Sequence, residues 1–365
     1  MKRIGLVFFE LLRAGIWNRT PQLTGELTGE EWELVYTLSR QQAVLGVILD
    51  AVSKLPEAYR PPKRLLLQWV MMQNLIEKSN TTVNNVLASV VNGLEDRGLT
   101  PYLMKGQGVA QNYPIPMHRT CGDIDLFFTD GGLDDAIAYL KSQGCSIEDI
   151  GQYAHVETVY RDVCIELHRK SATFYSKKLA RRYETILHEI ISVDEAHYVK
   201  VEGRDIRVLP PIADAMQLLA HMLRHIMTSG LGIRQVCDWV LFMHKHHGSI
   251  DKERFITYLR QTQLIGAYRA ISVIAVNYLG MPRELVFCET DDKDKKVAGK
   301  MMDVIMRYGN FGHYGDHNLT CNRREYLKAY LWKVRNCMRF YSIASAEAIS
   351  FPLWQLHSIT KVLKQ

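Results

Sequence analysis

The sequence predicts an α+β fold in which a small mixed sheet is flanked by helical regions. Apolar residues recur at helical spacing through the first 98 residues, and apolar–polar alternation typical of strands is concentrated between residues 99 and 208. After Pro210-Pro211 the helical spacing returns and continues to the last residues. We therefore predict an N-terminal helical region over 1–80, an α/β core over 81–209 and a C-terminal helical region over 210–365.

The N-terminal region reads as four helical segments separated by short breaks. Proline and polar residues at the breaks are the usual signals that end one helix and precede the next. The predicted helices cover residues 4–17, 30–52, 63–78 and 82–97, with breaks at 18–28 and 55–62.

The core segment alternates between strand and helix patterns. It opens with a strand over 99–105 that leads into Gly106-Gln107-Gly108, and a later strand starts at Asp123. Two alternating runs joined by Arg161-Asp162 indicate a hairpin. The other predictions are helices at 109–113 and 133–143, a short strand at 147–149, hairpin strands at 156–160 and 163–168, and a last strand at 206–209.

The C-terminal region is predicted to be entirely helical and carries the net charge of the chain. Residues 322–365 hold eight Lys or Arg against two Glu, which accounts for the whole net charge of +6. Basic and aromatic residues alternate there, a composition that can bind single-stranded nucleic acid. Helical spacing of the same aromatic residues favours packing within the protein instead. The predicted helices are 213–227, 233–246, 252–263, 268–279, 292–306 and 323–342.

Composition favours a globular cytoplasmic protein. Hydrophobic residues make up 47% of the chain, and the seven cysteines are scattered without a CxxC pair, as expected for reduced thiols. The first 17 residues resemble a signal sequence briefly, but Glu10 and Arg13 interrupt the apolar run. No uninterrupted apolar run reaches the roughly 18–20 residues that a membrane span requires.

The central candidate site is the segment around Asp123 and Asp125. These residues alternate with Ile124 and Leu126, so strand geometry places both carboxylates on one face. Two carboxylates this close repel each other, and Mg²⁺ is commonly held by one or two carboxylates together with substrate phosphates. The alternative is a solvated strand edge without an ion.

A third carboxylate lies in the second hairpin strand, where Glu166 and His168 share a face. If this strand lies beside the Asp123 strand, the three carboxylates converge as they do in two-metal phosphoryl-transfer sites. We therefore predict that Asp123, Asp125 and Glu166 bind two Mg²⁺ ions, with Mn²⁺ as the alternative metal. Taken alone, without Asp123 and Asp125, Glu166 is better explained as an ordinary exposed strand residue.

These motifs resemble the nucleotidyltransferase fold of the DNA polymerase beta superfamily. The segments Lys105-Gly106, Arg119-x-x-Gly122-Asp123-Ile124-Asp125-Leu126 and Ile165-Glu166-Leu167-His168 are similar to a large bacterial family of nucleotidyltransferases. The resemblance covers roughly residues 80–245. It implies a small nucleotidyltransferase core, NTP as substrate and Asp123, Asp125 and Glu166 as catalytic residues.

The resemblance also implies a phosphate-binding role for the glycine turn. Gly106 and Gln107 would line the triphosphate, although many superfamily members have Ser where this chain has Gln107. Lys105 and Arg119 would offset the charge of the triphosphate, and His168 would contact the phosphate or the acceptor. Simpler roles remain open, namely a surface lysine, an ion pair of Arg119 with the aspartates and a structural histidine. The third carboxylate is Glu where Asp is more usual.

Three functions follow from these patterns. The first is Mg²⁺-dependent transfer of a nucleoside monophosphate from an NTP to a hydroxyl or phosphate of an unidentified acceptor. The second is nucleotide binding on the same fold with weak or no catalysis, and the third is a toxin-like enzyme that modifies tRNA or protein. His221 and His225 lie four residues apart on one helix, but Met222 stands where a zinc protease carries its glutamate.

Overall fold

The computed structural model describes residues 2–129, 131–147, 155–312, 314 and 323–362. The chain forms two compact units. The first contains Met1–Ser171 and Asp194–Asp214, and the second contains Ala172–Val193 and Ala215–Gln365. The predicted region boundaries after residues 80 and 209 stay predictions.

Three helices open the first unit. They are α1 (Lys2–Ile16), α2 (Gly29–Gln41) and α3 (Leu45–Ser53). Thr28 caps α2 by accepting a hydrogen bond from the Glu31 backbone N–H, and the Glu31 carboxylate accepts one from the Thr28 backbone N–H. The prediction of one helix over 30–52 is wrong, because Ala43 adopts the left-handed conformation at φ 55° and separates α2 from α3.

The next helix is a single rod, α4 (Lys63–Glu95), where the sequence analysis predicts two helices. The polar stretch near Asn80 suggests a break but contains neither glycine nor proline. Thr81 and Thr82 donate their hydroxyl groups to the carbonyls of Glu77 and Lys78, one turn earlier in the same helix. The polar residues are therefore accommodated without ending the helix.

In the described part of the first unit, the sheet has six strands in the order β3-β4-β2-β1-β6-β5. The pairs β1–β6 and β2–β4 are parallel and the others antiparallel, so the predicted mixed sheet is confirmed. Strands and intervening helices are β1 (Tyr102–Met104), α5 (Gly106–Ala110), β2 (Asp123–Phe127), α6 (Gly132–Ser142), β3 (His155–Tyr160), β4 (Val163–His168), β5 (His197–Val201) and β6 (Arg204–Val208).

The predicted hairpin is confirmed as β3 and β4, whereas β5 is absent from the sequence prediction. The turn between β5 and β6 is Glu202-Gly203, and both residues adopt positive φ, as the tight turns of hairpins require. The strand predicted at 147–149 falls mostly on residues 148–154, which lie outside the described residues.

One face of the sheet is apolar and packs against helices. Leu103, Ile124, Leu126, Ile165 and Leu167 form a buried cluster with side chains of α4 and α6. Because strand residues alternate between the two faces, the residues between these apolar positions lie on the other face. A shift of β2 by one residue would bury Asp125 in this cluster, so the apolar pattern fixes the register of the strand.

The second unit is helical. It contains α7, a helix that the sequence analysis does not predict, and most of α8. In the described part of the chain, no helix combines the length and apolar character needed to cross a membrane. The helices are α7 (Lys177–Val193), α8 (Pro211–Thr228), α9 (Ile233–His246), α10 (Lys252–Gln261), α11 (Ile265–Leu279), α12 (Asp292–Tyr308), α13 (Arg323–Arg339) and α14 (Ser345–Val362).

Contacts near the C-terminus favour a structural role for α13 and α14 within the second unit. Cys337 and Phe340 are fully buried, whereas Leu331 and Tyr341 are exposed. On α14 the buried Glu347 carboxylate accepts hydrogen bonds from the backbone N–H groups of Tyr175 (2.8 Å) and Ser176 (2.9 Å), just before α7. These contacts support packing of the C-terminal segment within the second unit, and the alternative of a nucleic-acid surface stays a prediction.

Candidate active site

The polar face of the sheet brings the three predicted carboxylates together. β2 and β4 are parallel neighbours, and Asp125 pairs in register with Glu166. Asp123 lies two residues before Asp125 and therefore projects to the same face. Asp125 is buried, while Asp123 and Glu166 are half-buried. The arrangement presents three oxygen ligands from two adjacent strands.

The side chains of Lys105 and His168 converge on a single oxygen of Asp125. Oδ1 lies 2.8 Å from Lys105 Nζ and 2.8 Å from His168 Nε2. The same His168 nitrogen lies 3.1 Å from Oε2 of Glu166. His168 thus bridges two of the three carboxylates, and Lys105 neutralises the most deeply buried one.

The electrostatics of this cluster favour the charged forms of Asp125, Lys105 and His168. Burial alone would raise the pKa of Asp125, but the charge of Lys105 and the contacts with His168 hold that pKa well below its usual value. Burial opposes the charge of Lys105, yet Asp125 raises the pKa of the lysine, with further contributions from Glu166 and Asp123. Burial likewise opposes protonation of His168, whereas hydrogen bonds to Asp125 and Glu166 raise its pKa.

A strained turn directs Lys105 toward Asp125. Lys105 follows β1 with φ 50° and ψ −139°, a conformation that L-residues rarely adopt and that costs about 1–3 kcal/mol. In a regular strand Lys105 would share the apolar face with Leu103. The next residue, Gly106, has φ 34°, and a Cβ atom added there would lie 3.3 Å from the backbone oxygen of Asp123. Glycine thus allows the turn to approach β2 closely.

The loop before β2 is tied to the helices at several points. His118 lies 2.7 Å from Asp50 Oδ1 through Nδ1 and 2.8 Å from Glu77 Oε1 through Nε2. The Nδ2 group of Asn80 on α4 donates to the backbone oxygens of Met117 (2.7 Å) and Arg119 (2.9 Å). These contacts fix the entry of the chain into the strand that carries Asp123.

Gln107 belongs to the same anchoring network. Its side chain is buried, and Nε2 donates to Oδ1 of Asn80 at 3.1 Å. The side chain therefore connects the glycine turn to α4. A contact between Gln107 and phosphate stays a prediction. Because the side chain is buried against Asn80, such a contact would have to be made by the backbone of Gln107.

Replacing Gln107 by Ala is expected to destabilise the first unit by about 1–3 kcal/mol, because it leaves the buried Oδ1 of Asn80 without this donor. The shift in the thermal unfolding midpoint is the measurement. Gln143→Ala, at the exposed C-terminal end of α6, is the matched control. Equal midpoints for the two variants would contradict the anchoring role of Gln107.

Arg119, predicted to contact phosphate, is buried beside the site. Its Nη1 lies 2.6 Å from Sγ of Cys121 and 3.4 Å from the backbone oxygen of Thr120. The guanidinium is thus placed against the residues that lead into β2. A contact with phosphate stays a prediction for this residue.

Asp214 is an ionisable residue that the sequence analysis does not single out. It lies in the first turn of α8, which follows β6, and the C-terminal ends of β6 and β1 lie at the same edge of the sheet because these strands are parallel. Burial raises the pKa of Asp214 to about 7. Its Oδ1 is buried and has no hydrogen-bond partner among the described residues. An aspartate in the first turn of a helix is usually exposed, so the sequence carries no signal for this burial.

The second unit contains the predicted histidine pair on α8. The rings of His221 and His225 have centroids 4.4 Å apart in an edge-to-face arrangement, and the ring of Phe311 lies 4.8 Å from that of His225. This pair does not belong to the group of potential metal ligands that the described part of the chain contains. That group consists of His155, Glu166 and His168 in the first unit.

Comparison with known proteins places the chain in a family. A family model described as uncharacterised nucleotidyltransferase matches residues 28–280, more than half of the chain. Among solved structures, the chain is similar to an antigenic nucleotidyltransferase-like protein from Paracoccidioides brasiliensis, with 14% sequence identity and a TM-score of 0.34. That match covers 50% of this chain and 87% of the other. Among curated proteins no significant match is found.

Proposed function

The chain belongs to the family of uncharacterised nucleotidyltransferases, and we propose that it transfers a nucleoside monophosphate from an NTP to a hydroxyl or phosphate group of an acceptor. The single observation that carries this proposal is the in-register pairing of Asp125 with Glu166, which places both on one sheet face with Asp123. Family membership supports nucleotidyl transfer in general. The metal, the nucleotide and the residue roles below are our proposals.

The donor set fits Mg²⁺. Asp123, Asp125 and Glu166 offer hard carboxylate oxygens, which Mg²⁺ prefers over nitrogen ligands. The two half-buried members, Asp123 and Glu166, are reachable from solvent, whereas Asp125 forms the buried base of the cluster. Mn²⁺ accepts the same ligands and is the alternative metal. When bound, the metal would stabilise charge on the α-phosphate and on the departing pyrophosphate.

Lys105 and His168 keep the buried carboxylate of Asp125 in its ionised form. Their contacts with Oδ1 hold Asp125 ionised inside a site that would otherwise favour its neutral form. Lys105 also brings positive charge to the end of β1, next to the glycine turn where the triphosphate is expected. In this position the lysine would offset repulsion between the triphosphate and the carboxylates.

Glu166 is the candidate acceptor of the proton released during transfer. It is half-buried and lies on β4, next to Asp125 in register. As the acceptor oxygen attacks the α-phosphate, Glu166 would take its proton, while the bond from the α-phosphate to pyrophosphate breaks. His168, at 3.1 Å from Glu166, positions this carboxylate by hydrogen bonding.

The proposal is tested by incubating the protein with each of the four NTPs, Mg²⁺ and fractionated candidate acceptors. The acceptor fractions are small metabolites, RNA and protein, and the NTP carries a label on its α-phosphate. We expect pyrophosphate release that matches transfer of the label to one fraction, and loss of both in EDTA. Release of γ-phosphate without pyrophosphate would contradict nucleotidyl transfer.

A second function, nucleotide binding without catalysis, is favoured by one observation. Oδ1 of Asp125 already accepts hydrogen bonds from Lys105 and His168, so these two donors compete with a metal for that oxygen. For this function, calorimetry would show NTP binding while the pyrophosphate assay stays at background with every acceptor fraction. Pyrophosphate release above background would exclude it.

A further inference from the structure

Two histidines and a glutamate meet on the hairpin formed by β3 and β4. One potential ligand atom from each of His155, Glu166 and His168 lies within 4.8 Å of the others. The hairpin register brings them together, because His155 pairs with His168 and Glu157 pairs with Glu166. The ring centroids of the two histidines are 5.1 Å apart. The two imidazole rings thus place nitrogen atoms that can bind a metal next to the carboxylates of Asp123, Asp125 and Glu166.

Each histidine of this group also contacts a carboxylate outside it. Nε2 of His155 lies 3.0 Å from Oε1 of Glu157, and Nε2 of His168 lies 2.8 Å from Oδ1 of Asp125. Metal-binding histidines typically use one ring nitrogen for the ion and donate the other N–H to a carboxylate or carbonyl group, which fixes the orientation of the ring. His155 has a partner of this kind in Glu157, which leaves its Nδ1 for an ion. Nε2 of His168 lies between Asp125 and Glu166, so an ion bound to that nitrogen would replace its hydrogen bonds to these carboxylates.

We propose that His155, Glu166 and His168 bind a divalent transition-metal ion beside the predicted Mg²⁺ carboxylates. Two imidazoles and one carboxylate suit Zn²⁺, Co²⁺ or Fe²⁺, whereas Mg²⁺ prefers oxygen ligands alone. The inference stands on the hairpin geometry and does not require nucleotidyl transfer, although Glu166 belongs to both sites. The transition metal would therefore compete with Mg²⁺ for Glu166.

The spacing of the ligand atoms is compatible with such an ion after small side-chain movements. Metal–nitrogen and metal–oxygen bonds of about 2.0–2.2 Å require ligand atoms about 3–3.5 Å apart. Oε2 of Glu166 already lies 3.1 Å from Nε2 of His168. His155 and Glu166 are half-buried, so an ion can approach them from solvent, while the buried His168 anchors the inner side.

Co²⁺ is a suitable probe because its visible absorption reports nitrogen ligation directly, without nucleotide or activity. The full-length protein, first stripped with EDTA, is titrated with Co²⁺ and followed by absorption and calorimetry. We expect one Co²⁺ per chain with a nitrogen-ligated spectrum. His155→Phe is expected to weaken binding at least tenfold, and Glu157→Gln about tenfold, since outer-shell partners contribute 10–100-fold.

His197→Phe is the matched control, because His197 is a half-buried strand histidine on β5, outside the group. Asp123→Asn separates the two sites, since it should lose NTP turnover but keep the Co²⁺ spectrum. The proposal is overturned if the wild-type chain shows no nitrogen-ligated Co²⁺ spectrum, or if His155→Phe and Glu157→Gln bind Co²⁺ as tightly as His197→Phe. Failure of NTP turnover with an intact Co²⁺ spectrum would affect only the proposed transferase function.

Discussion

Asp125→Asn is expected to reduce pyrophosphate release by about 10³-fold or more. The substitution keeps the shape of the side chain but removes the charge that Lys105 and His168 neutralise on Oδ1. A neutral amide is also a weaker ligand for Mg²⁺, and stabilisation of transition-state charge by a metal is worth several kcal/mol. Steady-state pyrophosphate release with saturating Mg²⁺–NTP is the measurement.

A folded control is needed for this comparison. Asp135→Asn removes one carboxylate from the exposed surface of α6 in the same unit and should leave activity unchanged. The thermal unfolding midpoints of both variants show whether the first unit remains folded. Activity of Asp125→Asn within tenfold of the wild-type value would contradict a catalytic role for this carboxylate.

Asp214→Asn is expected to stabilise the protein at pH 8 but not at pH 4. The folded-state pKa of Asp214 is raised to about 7 by burial, whereas an unfolded aspartate titrates near about 3.9. The folded state therefore binds the proton more tightly. As the pH rises from about 4 to about 7, the protein loses free energy of unfolding on the order of 4 kcal/mol, which the Asn variant does not lose.

The measurement is the unfolding midpoint of the wild-type and Asp214→Asn chains from pH 4 to pH 8. The difference between them should grow across this range and level off above about pH 7. Asp135→Asn again controls for the loss of one carboxylate. A difference between Asp214→Asn and wild type that is the same at every pH would show that Asp214 is not buried as an unpaired acid.

The sequence predicts the carboxylate face because one physical constraint dominates there. The apolar core face is occupied by Ile124, Leu126, Ile165 and Leu167. Because strand residues alternate between faces, the acidic residues between them must lie on the opposite face of the sheet. That pattern correctly identifies the mixed sheet and the β3–β4 hairpin. The apolar pattern is a reliable signal because burying each large apolar side chain stabilises the fold by about 1.5–3 kcal/mol.

The environment of the carboxylates could not be predicted in the same way. Lys105 reaches Asp125 only through a positive φ that its residue type disfavours, and tertiary contacts stabilise that conformation. The hydrogen bond from Gln107 to Asn80 links residues 27 positions apart, so no local pattern indicates it. His155 joins the cluster only through the hairpin register, although its alternation with Glu157 was a readable sign of a shared face.

Two predicted helix boundaries were wrong because of the local backbone conformation. The left-handed Ala43 ends a helix where apolar spacing continues, and α4 continues where polar residues suggest an end. In both places the helical period alone carries no information about the backbone conformation of one or two residues.

The most direct test of the carboxylate site is calorimetry of a non-hydrolysable NTP analogue, with Mg²⁺ and with EDTA, on wild-type and Asp123→Asn chains. If Asp123, Asp125 and Glu166 hold a metal that contacts the nucleotide, Mg²⁺ should strengthen wild-type binding about tenfold or more and have little effect on Asp123→Asn. Equal affinity in Mg²⁺ and EDTA for the wild-type chain would contradict a metal-dependent nucleotide site on this sheet face.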